Sequence, residues 1–295
     1  MAIPAVPIAD LLTLLAGGMA WGLTPAVTKF GVFTGIPVLA WSGLQALAAA
    51  LMLGLVVGVQ KQGLPRGWAG LFYALVAGVV GLAVPNVLLF LGMAHVPAGF
   101  FALLAPLSPV LTALLLGLSG HEHVGRAVIV GSVLATGGAV LAMLPGAALP
   151  DRAALPWAAA LLLVPTLYAV SNVVAAVWRP SGVQGMVLAA CTLAAAAALL
   201  LPLAWVAGHF SAPAEVFAAA LPWIVVQGAL QAIAFTCYFR MIVRVGGVFA
   251  SQVAYVITLS GVLWGLVLFA EHPGWLTLPA TGLIFAGLWL LTRRR

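Results

Sequence analysis

Residues 183–207 read VQGMVLAACTLAAAAALLLPLAWVA and contain no charged side chain. The hydrocarbon core of a bilayer is about 30 Å thick, and a helix crosses it with about 20 consecutive apolar residues. This run is therefore long enough to cross a membrane as a single helix. Runs of the same kind recur along the chain, so the stretch indicates the fold class of the whole protein.

The composition of the chain supports the same fold class. Of the 295 residues, 65% are hydrophobic and 5% are charged, whereas about 25% are charged in a typical soluble domain. The 11 lysines and arginines give a net charge of +6 but are scattered mostly singly between apolar runs. A surface for nucleic acid would cluster such residues. The composition thus favours an integral membrane protein and argues against nucleic-acid binding.

Prolines, glycines and the few charged residues divide the chain into ten apolar segments. Because backbone N–H and C=O groups in lipid must be paired within the protein, each segment is expected to be a helix. The sequence therefore predicts an all-α integral membrane protein. Its ten transmembrane helices are expected near 8–30, 36–59, 67–92, 97–118, 125–144, 155–178, 183–207, 216–240, 246–270 and 275–292.

The distribution of basic residues predicts the orientation of these helices. With ten spans and the N-terminus inside, Lys29 and Arg152 lie outside and the other nine of the 11 basic residues lie on the cytoplasmic side, which basic residues favour. No lysine or arginine precedes the first span, so this span is not predicted to be a cleaved signal peptide. We expect a multi-pass protein of the cytoplasmic (inner) membrane with both termini in the cytoplasm.

The two halves of the chain resemble each other at a nearly constant offset. Trp21 in the first span corresponds to Tyr168 in the sixth, 147 residues later, and Glu122 corresponds to Glu271, 149 residues later. These matches predict two repeats of five helices, residues 1–148 and 149–295. Because an odd number of helices makes the second repeat enter the membrane from the opposite side, the repeats are expected to be inverted, as in many secondary transporters.

Three short motifs are more specific. Residues 21–29 read WGLTPAVTK, residues 104–109 read LAPLSP, and residues 120–122 read GHE. A Trp-Gly pair followed by a lysine in the first helix, a proline in the fourth and an acidic residue opening the fifth resemble the EamA family of drug/metabolite transporters. The resemblance covers nearly the whole chain. It implies ten helices, two inverted repeats and the export or exchange of small metabolites.

Polar side chains inside the spans indicate where a solute would bind. A polar group in lipid is costly unless it faces another helix or a wet cavity. Gln227 and Gln231 lie one helical turn apart on the same face, Gln45 is another amide at membrane depth, and Trp21 and Tyr168 are suited to form cavity walls. Interhelical contact without solute is the alternative for each. The predicted substrate-binding residues are Trp21, Thr24, Asn86, Tyr168, Asn172, Gln227, Gln231, Gln252 and Tyr255.

Three charged residues lie near span ends. Lys29 can either extend its ammonium group to the membrane surface or attract the carboxylate of a substrate at the outer mouth. Glu122 and Glu271 precede the fifth and tenth spans. A carboxylate at the start of a helix interacts favourably with the helix dipole, so we expect both acids to cap helices.

Together these features predict a secondary transporter that exports or equilibrates small neutral or zwitterionic metabolites, such as amino acids, by alternating access. The chain has no Gly-x-x-x-x-Gly-Lys-Ser/Thr motif for ATP. A multidrug efflux carrier is the main alternative. An intramembrane enzyme is less favoured because the 5 histidines lie near span ends without metal-ligand spacing. A channel is less favoured because the sequence contains neither charged rings nor a filter loop.

The predicted partners are a small-molecule substrate and the lipid bilayer. No cofactor and no metal are expected. Glycine pairs with small-xxx-small spacing, Gly18 with Gly22, Gly54 with Gly58, and Gly261 with Gly265, allow close helix approach. Such pairs can serve packing within one chain or the contact of a homodimer.

Overall fold

A computed structural model describes residues 7–65, 67–121, 125–144, 148–149, 152–178, 180, 182–245 and 252–292. Within these ranges the first half of the chain forms α1 (Ile8–Phe33), α2 (Val38–Val59), α3 (Trp68–Gly78), α4 (Val84–Met93), α5 (Ala98–Leu104), α6 (Leu107–Leu118) and α7 (Arg126–Ala142). The second half forms α8 (Leu155–Leu161), α9 (Leu163–Val177), α10 (Gly185–Val206), α11 (Ala214–Val245), α12 (Val253–Phe269) and α13 (Thr277–Thr292). Short 3₁₀ turns occupy Arg152–Ala154 and His209–Ser211.

The apolar helices confirm the class of multi-pass membrane protein. Among the described residues, seven helical segments are long and apolar enough to cross a membrane. They are Ile8–Phe33, Val38–Val59, Trp68–Met93, Ala98–Leu118, Arg152–Val177, Gly185–Val206 and Ala214–Ile242. Three shorter apolar helices, Ile129–Ala142, Val253–Phe269 and Thr277–Leu290, coincide with the remaining predicted spans. Because these three are shorter, the count of ten spans stays a prediction.

Three of the segments are interrupted at or near a proline. A π-turn, Val79–Ala83, joins α3 to α4 just before Pro85. Pro106 separates α5 from α6, and α8 gives way to α9 shortly before Pro165. Proline has no N–H and clashes with the preceding turn, and a π-turn adds a residue to a turn, so both bend a helix. These segments are therefore bent inside the bundle.

The helix contacts follow a regular pattern across the two halves. The first helix of the first half, α1, packs on α12 of the second half, and correspondingly α9 of the second half packs on α6 of the first. Likewise α2 packs on α11, and α10 packs on α3. Counterpart helices also meet each other, α2 with α10, α7 with α13, and α5 with α12. These contacts are preserved when the halves are exchanged, as expected for two repeats related by a two-fold axis.

Two of the three glycine pairs serve packing within the chain. A Cβ at Gly18 would lie 2.5 Å from Val256 Cβ, so α1 can approach α12 only because this residue has no side chain. Gly261 meets Ala102 in the same way, where α12 packs on α5. Gly54 and Gly58 have no atom within 4 Å of an added Cβ. That face of α2 is open, and the homodimer contact stays a prediction.

Candidate functional site

Helix α1 carries an ion pair near each of its ends. Asp10, in the first turn of α1, lies 3.0 Å from Nε of Arg244, in the last turn of α11. Near the other end of α1, Lys29 Nζ lies 2.9 Å from Glu271 Oε1. We call these two ends of the bundle the Asp10 end and the Lys29 end.

At the Lys29 end, the Glu271 carboxylate joins three helices. Its Oε1 accepts hydrogen bonds from Lys29 Nζ and from the backbone N–H of Ala98 at 2.7 Å, and its Oε2 accepts from the N–H of Gly99 at 3.0 Å. Ala98 and Gly99 begin α5, where the backbone N–H groups are otherwise unpaired and the helix dipole is positive. The Lys29 and Glu271 side chains are only 16% and 13% exposed. The carboxylate thus connects α1, α5 and the end of α12.

The backbone around Glu271 is shaped to admit this carboxylate. Ala270 has a positive φ of 50° and turns the chain at the end of α12, and the N–H of Glu271 donates to Gly265 O at 3.2 Å. A Cβ at Gly265 would collide with Glu271 Oε2. Glu271 does cap a helix, but that helix is α5 and not the following α13, which begins at Thr277. Glu122 lies outside the described residues.

The predicted role of Lys29 changes with this pairing. Its ammonium group faces Glu271 and lies 4.8 Å from the centre of the Phe269 ring. The positive charge is therefore compensated within the protein, and it can attract a substrate carboxylate only after the pair separates.

Aromatic and aliphatic side chains pack together at the Lys29 end, where a cavity of about 370 Å³ also lies beside Glu271. Phe30 stacks on Trp223 with ring centres 4.2 Å apart and contacts Phe269 at 4.9 Å. Deeper in the bundle, a buried cluster joins α1, α2, α4 and α11. We call its members Val27, Trp41, Phe90 and Ile224 the apolar seal.

A cavity lies toward the opposite end. Its volume is about 360 Å³, and Asn172 of α9 lines it and is exposed. The segment of α5 and α6 begins beside Glu271 and runs away from it, and Tyr238 precedes Arg244 on α11, so the cavity lies near the Asp10 end. The lining residues of this Asn172 cavity are Pro109, Thr112, Ala113, Leu116, Asn172 and Tyr238.

Polar contacts fix the Asn172 amide at the cavity wall. Its Nδ2 donates to Thr112 Oγ1 at 3.1 Å and lies 3.4 Å from Ser108 Oγ. Thr112 itself donates to Ser108 O at 2.7 Å. The cavity wall therefore offers neutral hydrogen-bonding groups and no charged side chain among the residues that line it.

The predicted residues Trp21 and Gln231 contact each other, and Tyr238 lies between Trp21 and the cavity. Trp21 Nε1 donates to Gln231 Oε1 at 3.0 Å, and the Trp21 ring contacts Phe235 at 5.3 Å and Tyr238 at 5.4 Å. Tyr238, which both contacts Trp21 and lines the cavity, was not predicted from the sequence. Its position two helical turns after Gln231, on the same face of α11, was the available signal.

Three predicted residues lie deeper in the bundle. Thr24, Asn86 and Gln227 are all buried, and the Thr24 hydroxyl donates to Ala20 O at 3.4 Å. Neither Nδ2 of Asn86 nor Oε1 of Gln227 has a hydrogen-bond partner in the described part of the chain.

The last three predicted residues are not among those that line the Asn172 cavity as the structure describes it. Tyr168 packs against the large cluster to which α4 to α9, α1 and α13 contribute buried residues. Tyr255 contacts the Phe285 ring at 4.8 Å and its hydroxyl lies 3.5 Å from Phe285 O. Gln252 directly precedes α12. Within the described residues, no group of three or more His, Cys, Asp or Glu is placed to hold a metal ion.

Comparisons with known proteins agree with this architecture. The profile of the EamA-like transporter family matches residues 8–144 and again residues 155–293. A WAT1-related protein of Arabidopsis thaliana is 35% identical over 105 residues, a stretch that covers 32% of this chain and 29% of that protein. A protein of known crystal structure has the same fold, with a TM-score of 0.62 over 97% of both chains and 20% sequence identity.

Proposed function

The chain belongs to the EamA-like transporter family, and from this we propose that it carries a small neutral or zwitterionic solute across the cytoplasmic membrane by alternating access. The family consists of transporters, and the two profile matches give the chain two repeats of that type. The proposal concerns the solute, the mechanism and the direction.

The observation that carries the proposal is the difference between the two ends. The Asn172 cavity lies toward the Asp10 end and is the more open of two cavities. The second, of about 370 Å³, lies beside Glu271 at the Lys29 end and is more enclosed, and the apolar seal and the pair of Lys29 with Glu271 lie at that same end. A carrier needs such an arrangement, since its site must be open to one side only at any time. Movement to the other state requires that the Lys29 end opens and the Asp10 end closes.

The contact pattern supports exchange between two such states. The most extensive packing contacts between helices of different halves have counterparts when the halves are exchanged. In inverted repeats, that exchange also interchanges the two sides of the membrane. The same set of contacts is then able to stabilise an inward-facing and an outward-facing form with similar free energy.

Orientation follows from the positive-inside rule. Arg240 and Arg244 lie on α11 at the Asp10 end, and Asp10 itself is near the N-terminus. With this end in the cytoplasm, the cavity faces the cytoplasm, so an exporter would load its solute there.

The solute class follows from the cavity wall. Thr112, Asn172 and Tyr238 supply uncharged hydroxyl and amide groups. The volume of about 360 Å³ is at the small end of ligand pockets, which span about 300–1,000 Å³. This fits an amino acid or a metabolite of similar size better than a bulky drug.

A transport assay tests the proposal and separates it from multidrug efflux. Purified protein in liposomes is expected to take up radiolabelled neutral amino acids in a saturable manner, and a large lipophilic cation such as ethidium should not compete. Asn172→Ala removes a hydrogen-bonding group from the cavity wall, so we expect about five-fold weaker apparent affinity. Gln60→Ala, at the exposed end of α2, is the matched control. Competition by ethidium would favour the efflux carrier.

A further inference from the structure

Four uncharged polar side chains lie at one depth between the Trp21 contact and the apolar seal. They are Thr24 on α1, Gln45 on α2, Asn86 on α4 and Gln227 on α11, and their residues are 9%, 2%, 6% and 1% exposed. We call these four side chains the polar layer. Each lies one helical turn from a member of the apolar seal in its own helix.

Contacts between α1 and α11 establish this depth for two of the four. A Cβ at Gly17 would lie 2.9 Å from Cys237 Cβ, Trp21 bonds to Gln231, and Phe30 stacks on Trp223. The residue numbers rise along α1 as they fall along α11, so the helices are antiparallel. Thr24, which lies between Trp21 and Phe30, is therefore opposite the turn that contains Gln227.

Contacts of α2 place the other two at the same depth. The Trp41 and Phe90 rings are 5.8 Å apart, and α2 and α4 belong to consecutive, antiparallel segments. Gln45 follows Trp41 by one turn and Asn86 precedes Phe90 by one turn, so both lie on the same side of this ring contact. A Cβ at Gly228 would lie 2.7 Å from Ala48 Cβ, which brings α11 against α2 at this level.

The polar layer contains a donor and an acceptor that are unpaired in the described part of the chain. Nδ2 of Asn86 and Oε1 of Gln227 are buried without a hydrogen-bond partner among the described residues. Leaving such a buried group unpaired costs about 1–3 kcal/mol, and native proteins leave few of them. None of the four side chains is charged. The unused groups call for a ligand that accepts one hydrogen bond and donates another.

We propose that the polar layer is a deep subsite for an uncharged group that both donates and accepts hydrogen bonds, with a carboxamide as the simplest example. This inference rests on the proposed function and narrows its solute class. An ionised group is excluded from the layer because burying a charge without a counter-charge is far more costly than burying an amide. Gln227 and Tyr238 are eleven residues apart on α11, about 16 Å along its axis, so a small solute would occupy the Asn172 cavity and the layer one after the other.

The test uses two small probes of matched shape, propionamide and propionate. Purified full-length protein in lipid nanodiscs is examined by saturation-transfer NMR, which detects weak binding without any transport. Propionamide is expected to bind and propionate is not. Asn86→Leu and Gln227→Met each remove one hydrogen-bonding group and should weaken propionamide binding about five-fold. Gln60→Leu is the control and should bind propionamide like the parent.

Thermal stability separates a ligand site from ordinary packing. The two unpaired atoms make no hydrogen bond to a described residue, so Gln227→Met is expected to keep or raise the melting temperature while it weakens binding. A fall in the melting temperature with unchanged propionamide binding would show that the amide has a structural role, and would overturn the subsite.

Two further outcomes overturn the inference: no propionamide signal with the parent protein, or equal binding of propionamide and propionate. The proposed function fails on different data. If propionamide binds to the parent and not to the two variants, but no solute crosses liposomes, the subsite stands and the assignment as a carrier is wrong. If solute crosses but all variants bind propionamide equally, only the subsite is wrong.

Discussion

Glu271 is the residue on which the closed Lys29 end most depends. Its carboxylate pairs with Lys29 and accepts hydrogen bonds from two backbone N–H groups of α5. Because both charged side chains are largely buried, water and salt screen the pair less than they screen an exposed one. We therefore expect the pair to act as a latch, an ion pair that must break before the Lys29 end can open.

Neutralising this carboxylate should loosen the Lys29 end. Glu271→Gln keeps an oxygen for the α5 N–H groups but loses the charge, and a hydrogen bond to a charged group is worth about 1.5–3 kcal/mol. A thiol at Val27→Cys, in the apolar seal, reports opening when Cys191 and Cys237 are replaced by alanine. We expect a membrane-impermeant maleimide to label it about ten-fold faster in Glu271→Gln, which corresponds to about 1.4 kcal/mol.

The matched control for this change is Glu215→Gln. Glu215 lies in the first turn of α11 and is exposed. Its substitution removes the same charge from the chain as Glu271→Gln does. It should leave the labelling of Val27→Cys unchanged. Equal labelling rates in Glu271→Gln and the parent would contradict the role of the latch.

At the scale of the element, α1 depends on glycine for its contact with α12. A Cβ at Gly22 would collide with Ser260 Oγ and lie 2.9 Å from Ile257 O, a backbone atom that cannot rotate away. Overpacking of this kind costs about 1–3 kcal/mol. Gly22→Ala is therefore expected to lower the melting temperature of the purified protein.

Gly54→Ala gives the comparison for that prediction. An added Cβ at Gly54 meets no atom within 4 Å, and alanine is favoured over glycine in a helix by about 1 kcal/mol. We expect an unchanged or slightly raised melting temperature. If both substitutions had the same effect, the close approach of α1 to α12 would not be a source of stability.

Apolar runs predicted where helices lie but not where they are interrupted. The span predicted at 183–207 is α10, Gly185–Val206, because an uncharged run of that length has no other stable form in lipid. The π-turn Val79–Ala83 interrupts an equally apolar run. Hydropathy cannot reveal such a break, because the residues of this π-turn are as apolar as those of the helices on either side.

The sequence predicted candidate site residues only through the cost of burying polar groups in lipid. This cost singled out Trp21, Gln231, Asn86, Gln227 and Asn172. It did not reveal their partners, because Trp21 and Gln231 are 210 positions apart and Glu271 binds the start of α5, 173 positions before it. Contacts of that kind depend on the packing of the whole bundle.

Across the bundle, the two ion pairs stabilise the Asp10 end and the Lys29 end to different extents. Arg244 is 47% exposed, so water and salt weaken its attraction to Asp10. Lys29 and Glu271 are largely buried and have additional backbone partners. This difference favours the form that is closed at the Lys29 end, and bound solute in the polar layer would have to offset it for the protein to open there.

Counterflow tests the central claim, a carrier with alternating access, most directly. Liposomes that contain the protein are preloaded with an unlabelled neutral amino acid such as glutamine and diluted into a trace of the labelled form. A carrier exchanges solute through one site, so the account predicts a transient accumulation of label above its equilibrium level, which disappears without preloading. Uptake that rises only to equilibrium, whether or not the liposomes are preloaded, would contradict the account.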